Sequence, residues 1–399
     1  MNEWHTYTLE EACENIYSGG TPSTKNKEYW GGSLKWLSSG ETSQRFIYDT
    51  ERKITQLGVE NSSTKFAYRG STVVATAGQG HTRGQASFLM TDTYLNQSVI
   101  ACKPNINIVI PLYLYYNLAN RYEEFRLLSD GTSTRGSLSG RILKKMAIRL
   151  PSIAVQSKIT AVLYSIDQQI VNNNRINKNL EEQLATLFAH KFKDNISKAT
   201  TSTCPKLGDL ITIIDNRGKT PPLTTNTFEY PIIDVGSLKG SCRIIDFNNC
   251  TKYVNKATYE TWFRRGHPKP GDILISTVGS LGEIKIYLGT KGCIAQNVIA
   301  LRAITISPLY LYQYLRFIRA DLFAYNIGSV QPSIKVTHII KHPIFIPKAD
   351  DLIEFEKISS YITNQLYTNY IENDALKEIR DTLLPKLMSG EIDVSKIVI

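Results

Sequence analysis

The sequence predicts a mixed α/β fold made of two α/β domains in tandem, each followed by a long helix. Three observations carry this prediction. The second half of the 399-residue chain repeats the first. Short β-branched and aromatic runs alternate with Gly- and Thr-rich turns in each half, and each half ends in a seven-residue apolar repeat.

The internal repeat extends through the chain at an offset of about 196–201 residues. Gly19 to Pro22 (GGTP) aligns with Gly218 to Pro221 (GKTP), and Pro111 to Tyr115 (PLYLY) recurs unchanged as Pro308 to Tyr312. Matches of this length and order indicate a tandem duplication, which gives the chain internal pseudo-twofold symmetry.

The segment before each apolar repeat has the texture of a globular α/β domain. Strands are predicted at Ser71 to Thr76, Asp272 to Thr277 and Gln296 to Leu301, and the polar run Ser197 to Thr203 suits a flexible connection. The predicted organisation is a globular domain over 1–150, a central spacer helix over 151–193, a linker over 194–206, a second globular domain over 207–347, a distal spacer helix over 348–390 and a tail over 391–399.

The seven-residue repeat follows Pro151 and again Pro347. It predicts coiled-coil helices of roughly 35–40 residues, about 50–60 Å long. Asn173 and Asn369 occupy the same seam slot, where a polar residue lowers stability but fixes helix register; the alternative is that Asn172 to Asn174 mark a frayed stretch. The seam positions are Ile159, Ile166, Asn173, Leu180 and Leu187 in the first copy and Phe355, Ile362, Asn369, Leu376 and Leu383 in the second.

Composition narrows the class of protein. The net charge of +10 and pI near 9.1 favour a polyanionic partner. The six cysteines are scattered and predict reduced, buried thiols. The acidic N-terminal stretch and the lack of a long apolar run predict a cytoplasmic protein without a membrane partner.

Motifs for catalysis are weak. Asp272, Glu283 and Lys285 have a spacing that resembles a metal-dependent nuclease motif, but the first copy has Ser71, Thr82 and Gly84 at these positions, so we favour a solvated strand edge. The chain lacks a P-loop, a methyltransferase motif and a histidine pattern for metal binding, so we expect neither catalytic nor metal-ligating residues. The tyrosines of both PLYLY segments are interpreted as core residues.

Polar, basic loops recur at matching places in both copies, and their residue types are those that bind phosphates and base edges. We therefore regard these loops as candidate DNA-binding segments. Their residues are Thr21, Lys25, Lys27, Thr76, Gln79, His81, Arg83, Thr132 and Arg135 in the first copy, and Arg217, Lys219, Thr220, Lys239, Thr277, Ser280, Ser329 and Gln331 in the second.

The complete pattern resembles the specificity subunit of Type I restriction-modification enzymes. The resemblance covers essentially the full chain. It rests on SGGTP at Ser18 to Pro22, RGKTP at Arg217 to Pro221, the GDILISTVG segment at Gly271 to Gly279, the two QxVIA segments, and the IxxP sequence that leads into each heptad helix.

This resemblance implies two target-recognition domains, each reading half of a bipartite sequence in double-stranded DNA, held apart by two long antiparallel coiled-coil helices. It also implies assembly with two methyltransferase subunits that use S-adenosylmethionine, and with motor-nuclease restriction subunits that use ATP and Mg²⁺, while this chain itself carries no cofactor and no active site. Helices of ~50 Å correspond to about one to one and a half turns of B-DNA. Two alternatives stay open: a metal-dependent nuclease that uses Asp272, Glu283 and Lys285, and a helical scaffold that does not bind DNA.

Overall fold

The computed structural model describes residues 4–78, 81–130, 138–218, 220–226, 229–325 and 332–394. The chain divides into two compact units. Unit 1 comprises Met1–Gln169 and Ala375–Ile399, and unit 2 comprises Ile170–Asp374. Each unit therefore contains one globular domain and segments of both long helices.

The described residues of unit 1 form sheets with the strand orders β2-β10-β7-β8-β4, β5-β3-β9-β6 and β1-β11. The strands are β1 His5–Thr8, β2 Cys13–Ser18, β3 Trp30–Leu37, β4 Phe46–Ile47, β5 Arg52–Ile54, β6 Lys65–Ala67, β7 Thr72–Ala75, β8 Ala86–Leu89, β9 Thr93–Leu95, β10 Val99–Pro104 and β11 Ala147–Leu150. The helices are α1 Leu9–Ala12, α2 Gln56–Glu60, α3 Pro111–Ala119, α4 Tyr122–Asp130, α5 Gly140–Lys145 and the beginning of α6 Ile153–Ile196, with 3₁₀ turns at Lys27–Tyr29 and Ser39–Ser43.

Unit 2 contains sheets with the orders β12-β18-β15-β16 and β14-β13-β17. The strands are β12 Ile211–Ile214, β13 Tyr230–Ile233, β14 Tyr253–Val254, β15 Ile273–Ser276, β16 Ile284–Ile286, β17 Cys293–Ile294 and β18 Val298–Ala303. The helices are the remainder of α6, α7 Val235–Leu238, α8 Lys256–Trp262, α9 Pro308–Phe317, α10 Arg319–Ala324, α11 Val336–Lys341 and most of α12 Ala349–Ser389, with 3₁₀ turns at Leu207–Asp209 and Phe247–Asn249.

The two domains share one topology. The antiparallel order β2-β10-β7-β8 recurs as β12-β18-β15-β16. In the second sheet, the antiparallel pair β5-β3 and its parallel neighbour β9 recur as β14-β13 and β17. The prediction of a duplicated mixed α/β domain is confirmed.

Sheet cores form where the sequence runs apolar on both faces. In β15, Ile273 and Ile275 pack into one cluster while Leu274 packs into another, since successive strand residues point to opposite faces. Helices α3 and α9 each begin with proline, which suits the first helical position. The tyrosines that these helices carry are buried, which confirms their interpretation as core residues; they are Tyr113, Tyr115, Tyr116, Tyr310, Tyr312 and Tyr314.

In unit 2, α6 runs antiparallel to α12. Asn173 Nδ2 donates to Asn373 Oδ1 at 3.0 Å, Asn369 Nδ2 donates to Asn177 Oδ1 at 2.7 Å, and the Phe188 ring lies 5.5 Å from that of Phe355. Residue numbers thus fall along one helix as they rise along the other. These cross-helix asparagine bonds support a role in setting register, and α6 passes through Asn172 to Asn174 without a break.

Burial along the helices follows the seam only in part. Ile159, Asn173, Phe355, Ile362 and Asn369 are buried. The other five seam positions are half-buried, and on α6 the charged or aromatic residue that follows three of them is buried instead. The half-buried positions are Ile166, Leu180, Leu187, Leu376 and Leu383, and the buried neighbours are Asp167, Glu181 and Phe188.

Arginines, fully buried in unit 2 and half-buried in unit 1, tie each domain to the helix segment in its own unit. In unit 2, Arg243 is fully buried and pairs with Glu181 on α6, and its guanidinium lies 4.9 Å from the centre of the Tyr312 ring. In unit 1, Arg45 lies 3.3 Å from Asp167 on α6 and 5.6 Å from the Tyr115 ring centre. The same arginine, tyrosine and carboxylate combination therefore anchors both domains.

The thiols are free, as predicted, but two of them are not fully buried. Cys204 and Cys242 are half-exposed, whereas the remaining four are buried. Cys204 lies in the polar connection after α6. None of the helices in the described ranges combines the length and apolar character that a membrane crossing requires.

Candidate nucleic-acid interface

The Gly-Thr-Pro turns are held in the same way in both domains. The Thr21 hydroxyl donates to the Gln97 side-chain carbonyl, and Thr220 Oγ1 accepts from Gln296 Nε2 at 3.2 Å. Thr21 and Thr220 are exposed. A Cβ atom on Gly19 would lie 2.0 Å from the Leu95 carbonyl oxygen, so only glycine allows this close approach. Each turn is thereby fixed against the QxVIA segment of its own domain.

The loops that follow β7 and β15 also have matching supports. The Thr76 carbonyl accepts from the Leu138 N–H at 3.0 Å, and the Thr277 carbonyl accepts from the Ile334 N–H at 2.9 Å. Both threonines are buried. Their role is therefore to hold the base of each loop.

Arg83 is also buried, and its guanidinium pairs with the Asp130 carboxylate. An arginine held this way is already neutralised, so it positions the loop and the end of α4. The neighbouring His81 is exposed, while its backbone carbonyl accepts from the Tyr122 hydroxyl at 3.0 Å. His81 is therefore the accessible side chain of this pair.

Several predicted polar and cationic residues point to solvent. Lys25 and Lys27 follow the first turn, Lys239 follows α7, and Ser280 lies in the loop after β15; all are exposed. Arg217 is also exposed and pairs with Asp215, with its Nε atom 2.8 Å from Asp215 Oδ1. Asp215 raises the pKa of the Arg217 guanidinium, which keeps it charged. The remaining candidates, Gln79, Thr132, Arg135, Lys219, Ser329 and Gln331, lie outside the described residues.

The nuclease-like residues do not face a common site. Asp272 is buried and accepts from Arg302 Nη2 at 2.7 Å, and Glu283 accepts from Arg319 Nη2 at 2.9 Å. Lys285 is 1% exposed and donates to the carbonyls of Gly240 and Cys242. The interpretation as a solvated strand edge is wrong for Lys285, because the segment around residue 242 covers this face of β16. Burial lowers the pKa of Lys285.

Each domain also has an open cleft that the sequence analysis missed. Cleft 1, in unit 1, is lined by Glu10, Ser18, Lys65, Arg141, Lys144 and Lys145, and by Gly140 at the start of α5. Cleft 2, in unit 2, comprises two hollows that share Asp215, Arg217 and Arg265; Trp262 and Arg264 line one of them, and Val336, at the start of α11, lines the other. Each cleft therefore has more cations than carboxylates.

The sequence did contain a signal for these clefts. Arg141, Lys144 and Lys145 have the i, i+3, i+4 spacing that places cations on one helix face, and Arg264 and Arg265 are adjacent cations after α8. Neither group belongs to a glycine-rich loop. Attention to loops alone therefore overlooked them.

The fold and these surfaces define a duplicated α/β protein with a basic cleft in each domain. The model of the Type I restriction modification DNA specificity domain matches residues 1–182 and again 203–381, and the chain belongs to this family. It is similar to the Type I restriction enzyme MjaIX specificity subunit of Methanocaldococcus jannaschii, with 26% identity across 99% of this chain and 95% of that protein.

A second relative is the Type I restriction enzyme HindI specificity subunit of Haemophilus influenzae, with 23% identity across 98% of this chain and 100% of that protein. Among solved structures, the S subunit of a Type I restriction-modification system from M. genitalium aligns with a TM-score of 0.57 at 16% identity, across 97% of this chain and 96% of that one. At this identity the match concerns the fold. It agrees with the tandem arrangement described above.

Proposed function

We propose that the chain is the specificity subunit of a Type I restriction-modification complex and that each globular domain reads one half of a bipartite DNA target. The observation that carries this proposal is the double match to the DNA specificity domain. It is supported by the duplicated supports of the Gly-Thr-Pro turns, which present different exposed residues in the two domains. The two turns have the same supports but differ in their exposed residues, and two different half-sites would require such a difference.

In this proposal, the helices set the spacing between the two readers and dock two methyltransferase subunits. The asparagine bonds between α6 and α12 support this role, since a fixed register is what a spacer requires. S-adenosylmethionine would bind to the methyltransferase subunits, and ATP and Mg²⁺ to motor-nuclease subunits. This chain would recognise the DNA target and set the spacing between the two domains that read it.

The arrangement of Asp272, Glu283 and Lys285 does not support the nuclease alternative. A two-carboxylate metal site needs both carboxylates turned toward one ion. Here Asp272 and Glu283 are each paired with a different arginine, and the ammonium group of Lys285 is used by backbone carbonyls. The three residues therefore serve separate structural roles.

The proposal is tested by sequencing methylated adenines in DNA from the host cell with and without this chain. We expect loss of methylation at one bipartite motif when the chain is removed, and return of the same motif when it is restored. Unchanged methylation together with no salt-sensitive DNA binding by the assembled complex would favour the scaffold alternative. Metal-dependent cleavage by the isolated chain would favour the nuclease.

A further inference from the structure

The two basic clefts share the same walls. Each is bounded by the chain just before the Gly-Thr-Pro turn, by the segment after a short helix, and by the first residue of the helix that precedes the IxxP sequence. In cleft 1 these walls include Ser18, Lys65 and Gly140. In cleft 2 they include Arg217, Arg265 and Val336. The duplication has therefore preserved the cleft as a feature of the domain.

The positive charge of the two clefts comes from different places. In cleft 1 it comes mainly from α5, through Arg141, Lys144 and Lys145. At the offset of 196, Arg141 and Lys144 correspond on α11 to the uncharged Thr337 and Ile340, and Lys145 corresponds to Lys341, which does not line cleft 2. Cleft 2 instead has Arg217, where cleft 1 has Ser18, together with Arg264 and Arg265. Both clefts are therefore basic, although most of their cations do not lie at corresponding positions of the two domains.

The net charge remains positive after pairing within each cleft. Lys144 Nζ lies 2.9 Å from Glu10 Oε1, which leaves Lys65, Arg141 and Lys145 exposed on the walls of cleft 1. Arg217 pairs with Asp215, which leaves Arg264 and Arg265 exposed on those of cleft 2. Open clefts with several exposed cations suit a diffuse anionic backbone better than a small ligand, which needs an enclosed pocket.

We propose that each cleft binds backbone phosphates of duplex DNA beside the half-site read by the same domain. This inference rests on the proposed function. It assigns to the clefts a sequence-independent share of the binding free energy and leaves base readout to the turns and loops. Either cleft can therefore change its cations without changing the target, which explains how their sources diverged after duplication.

The test uses the full chain assembled with the methyltransferase subunits of its host. Two variants remove two exposed cations each, R141Q/K145Q in cleft 1 and R264Q/R265Q in cleft 2. The control K178Q/K256Q removes the same charge from exposed lysines outside both clefts, whose nearest carboxylates are 3.9 and 3.8 Å away. Affinity for target and unrelated duplexes is measured between 50 and 200 mM salt, a range over which phosphate binding changes strongly.

For each cleft variant we expect the slope of log affinity against log salt to become shallower by about 1.8, because each phosphate that no longer meets a cation removes ~0.9 from the slope. Target and unrelated DNA should weaken by the same factor, and the methylated sequence should stay the same. The control should keep the wild-type slope.

Unchanged slopes in both cleft variants would overturn the cleft assignment. The assignment would also be overturned if the methyltransferase subunits failed to co-purify with a cleft variant while the slope stayed unchanged. That result would identify the clefts as protein-docking surfaces. An altered target sequence would mean that these residues read bases. The proposed function fails separately, if the unmodified complex does not prefer its target over unrelated DNA.

Discussion

The anchor of the second domain is a buried charge cluster centred on Glu181. Its Oε1 atom accepts from the Arg243 backbone N–H at 2.7 Å and from Arg243 Nε at 3.0 Å, and its Oε2 atom accepts from Arg243 Nη2 and Arg316 Nη1, both at 2.9 Å. Thr363 on α12 completes the set by accepting from Arg243 Nη1 at 2.8 Å. Replacing Glu181 with leucine would leave a buried guanidinium with a single side-chain acceptor.

We predict that Glu181→Leu lowers the free energy of unfolding of unit 2 by about 3–5 kcal/mol, because breaking a buried ion pair leaves an uncompensated charge. The cost is this large because the Arg243 side chain has no exposed surface through which water could replace the carboxylate. The assay is guanidinium denaturation followed by tryptophan fluorescence. Trp262 lies in unit 2 whereas Trp4, Trp30 and Trp36 lie in unit 1, so the unit 2 transition is the one that disappears in a Trp262→Phe background.

Glu182→Leu is the matched control. It changes the next residue of α6, whose carboxylate is exposed and lies 3.9 Å from Lys178, and an exposed pair of this kind contributes at most about 1 kcal/mol. The double variant Glu181→Leu with Arg243→Met should recover part of the stability, because the fully buried charge is then gone and the charge that remains, on Arg316, is 26% exposed to water. A decrease below about 1 kcal/mol in the single variant, equal to that of the control, would refute the reasoning.

Three further predictions follow from other interactions. Asn173→Leu should destabilise the helix pair by about 1–3 kcal/mol, because Asn373 is left without this hydrogen-bond partner. In the same denaturation assay, the double variant with Asn373→Leu should be nearer to wild type in stability. Equal stability of the single variant and wild type would contradict this prediction. Burial lowers the pKa of His267 and of His342 from 6.5, so the stability that the neutral imidazoles contribute is complete above pH 6.5 and is lost as the pH falls through the folded-state pKa. The denaturation midpoints at pH 7.5 and pH 5.5 should therefore differ less in the double variant His267→Phe/His342→Phe than in wild type. An equal difference in the two proteins would contradict this prediction. Glu283→Gln should leave restriction of unmodified DNA by the assembled enzyme intact because this carboxylate is paired with an arginine, and failure to cleave with methylation preserved would restore the nuclease alternative.

The fold was readable because its main signals are local. The heptad repeats predicted both long helices, and apolar runs predicted the inner strands β7, β15 and β18. The seam was harder to place, since arginines from the globular domains bury Asp167 and Glu181 on α6. Those partners are far away in the sequence, so no local period contains them.

The candidate interface shows a similar limit. Because all five are polar, the sequence predicted the same DNA-binding role for Thr21, Thr220, Thr76, Thr277 and Arg83. In the structure Thr21 and Thr220 are exposed, whereas Thr76, Thr277 and Arg83 are buried. A polar residue at a loop base looks the same in sequence as one at its tip. The clefts were missed because their walls come from three separate segments, which only folding brings together.

The central claim is that each domain reads its own half of the target. It is tested most directly by mapping methylated adenines in cells that carry either His81→Ala or Lys239→Ala in place of the wild-type chain. Both side chains are exposed, and they belong to different domains. The account predicts that each variant changes or relaxes the methylated sequence in one half only, and that the two variants affect opposite halves. A change in both halves from either single variant would contradict it.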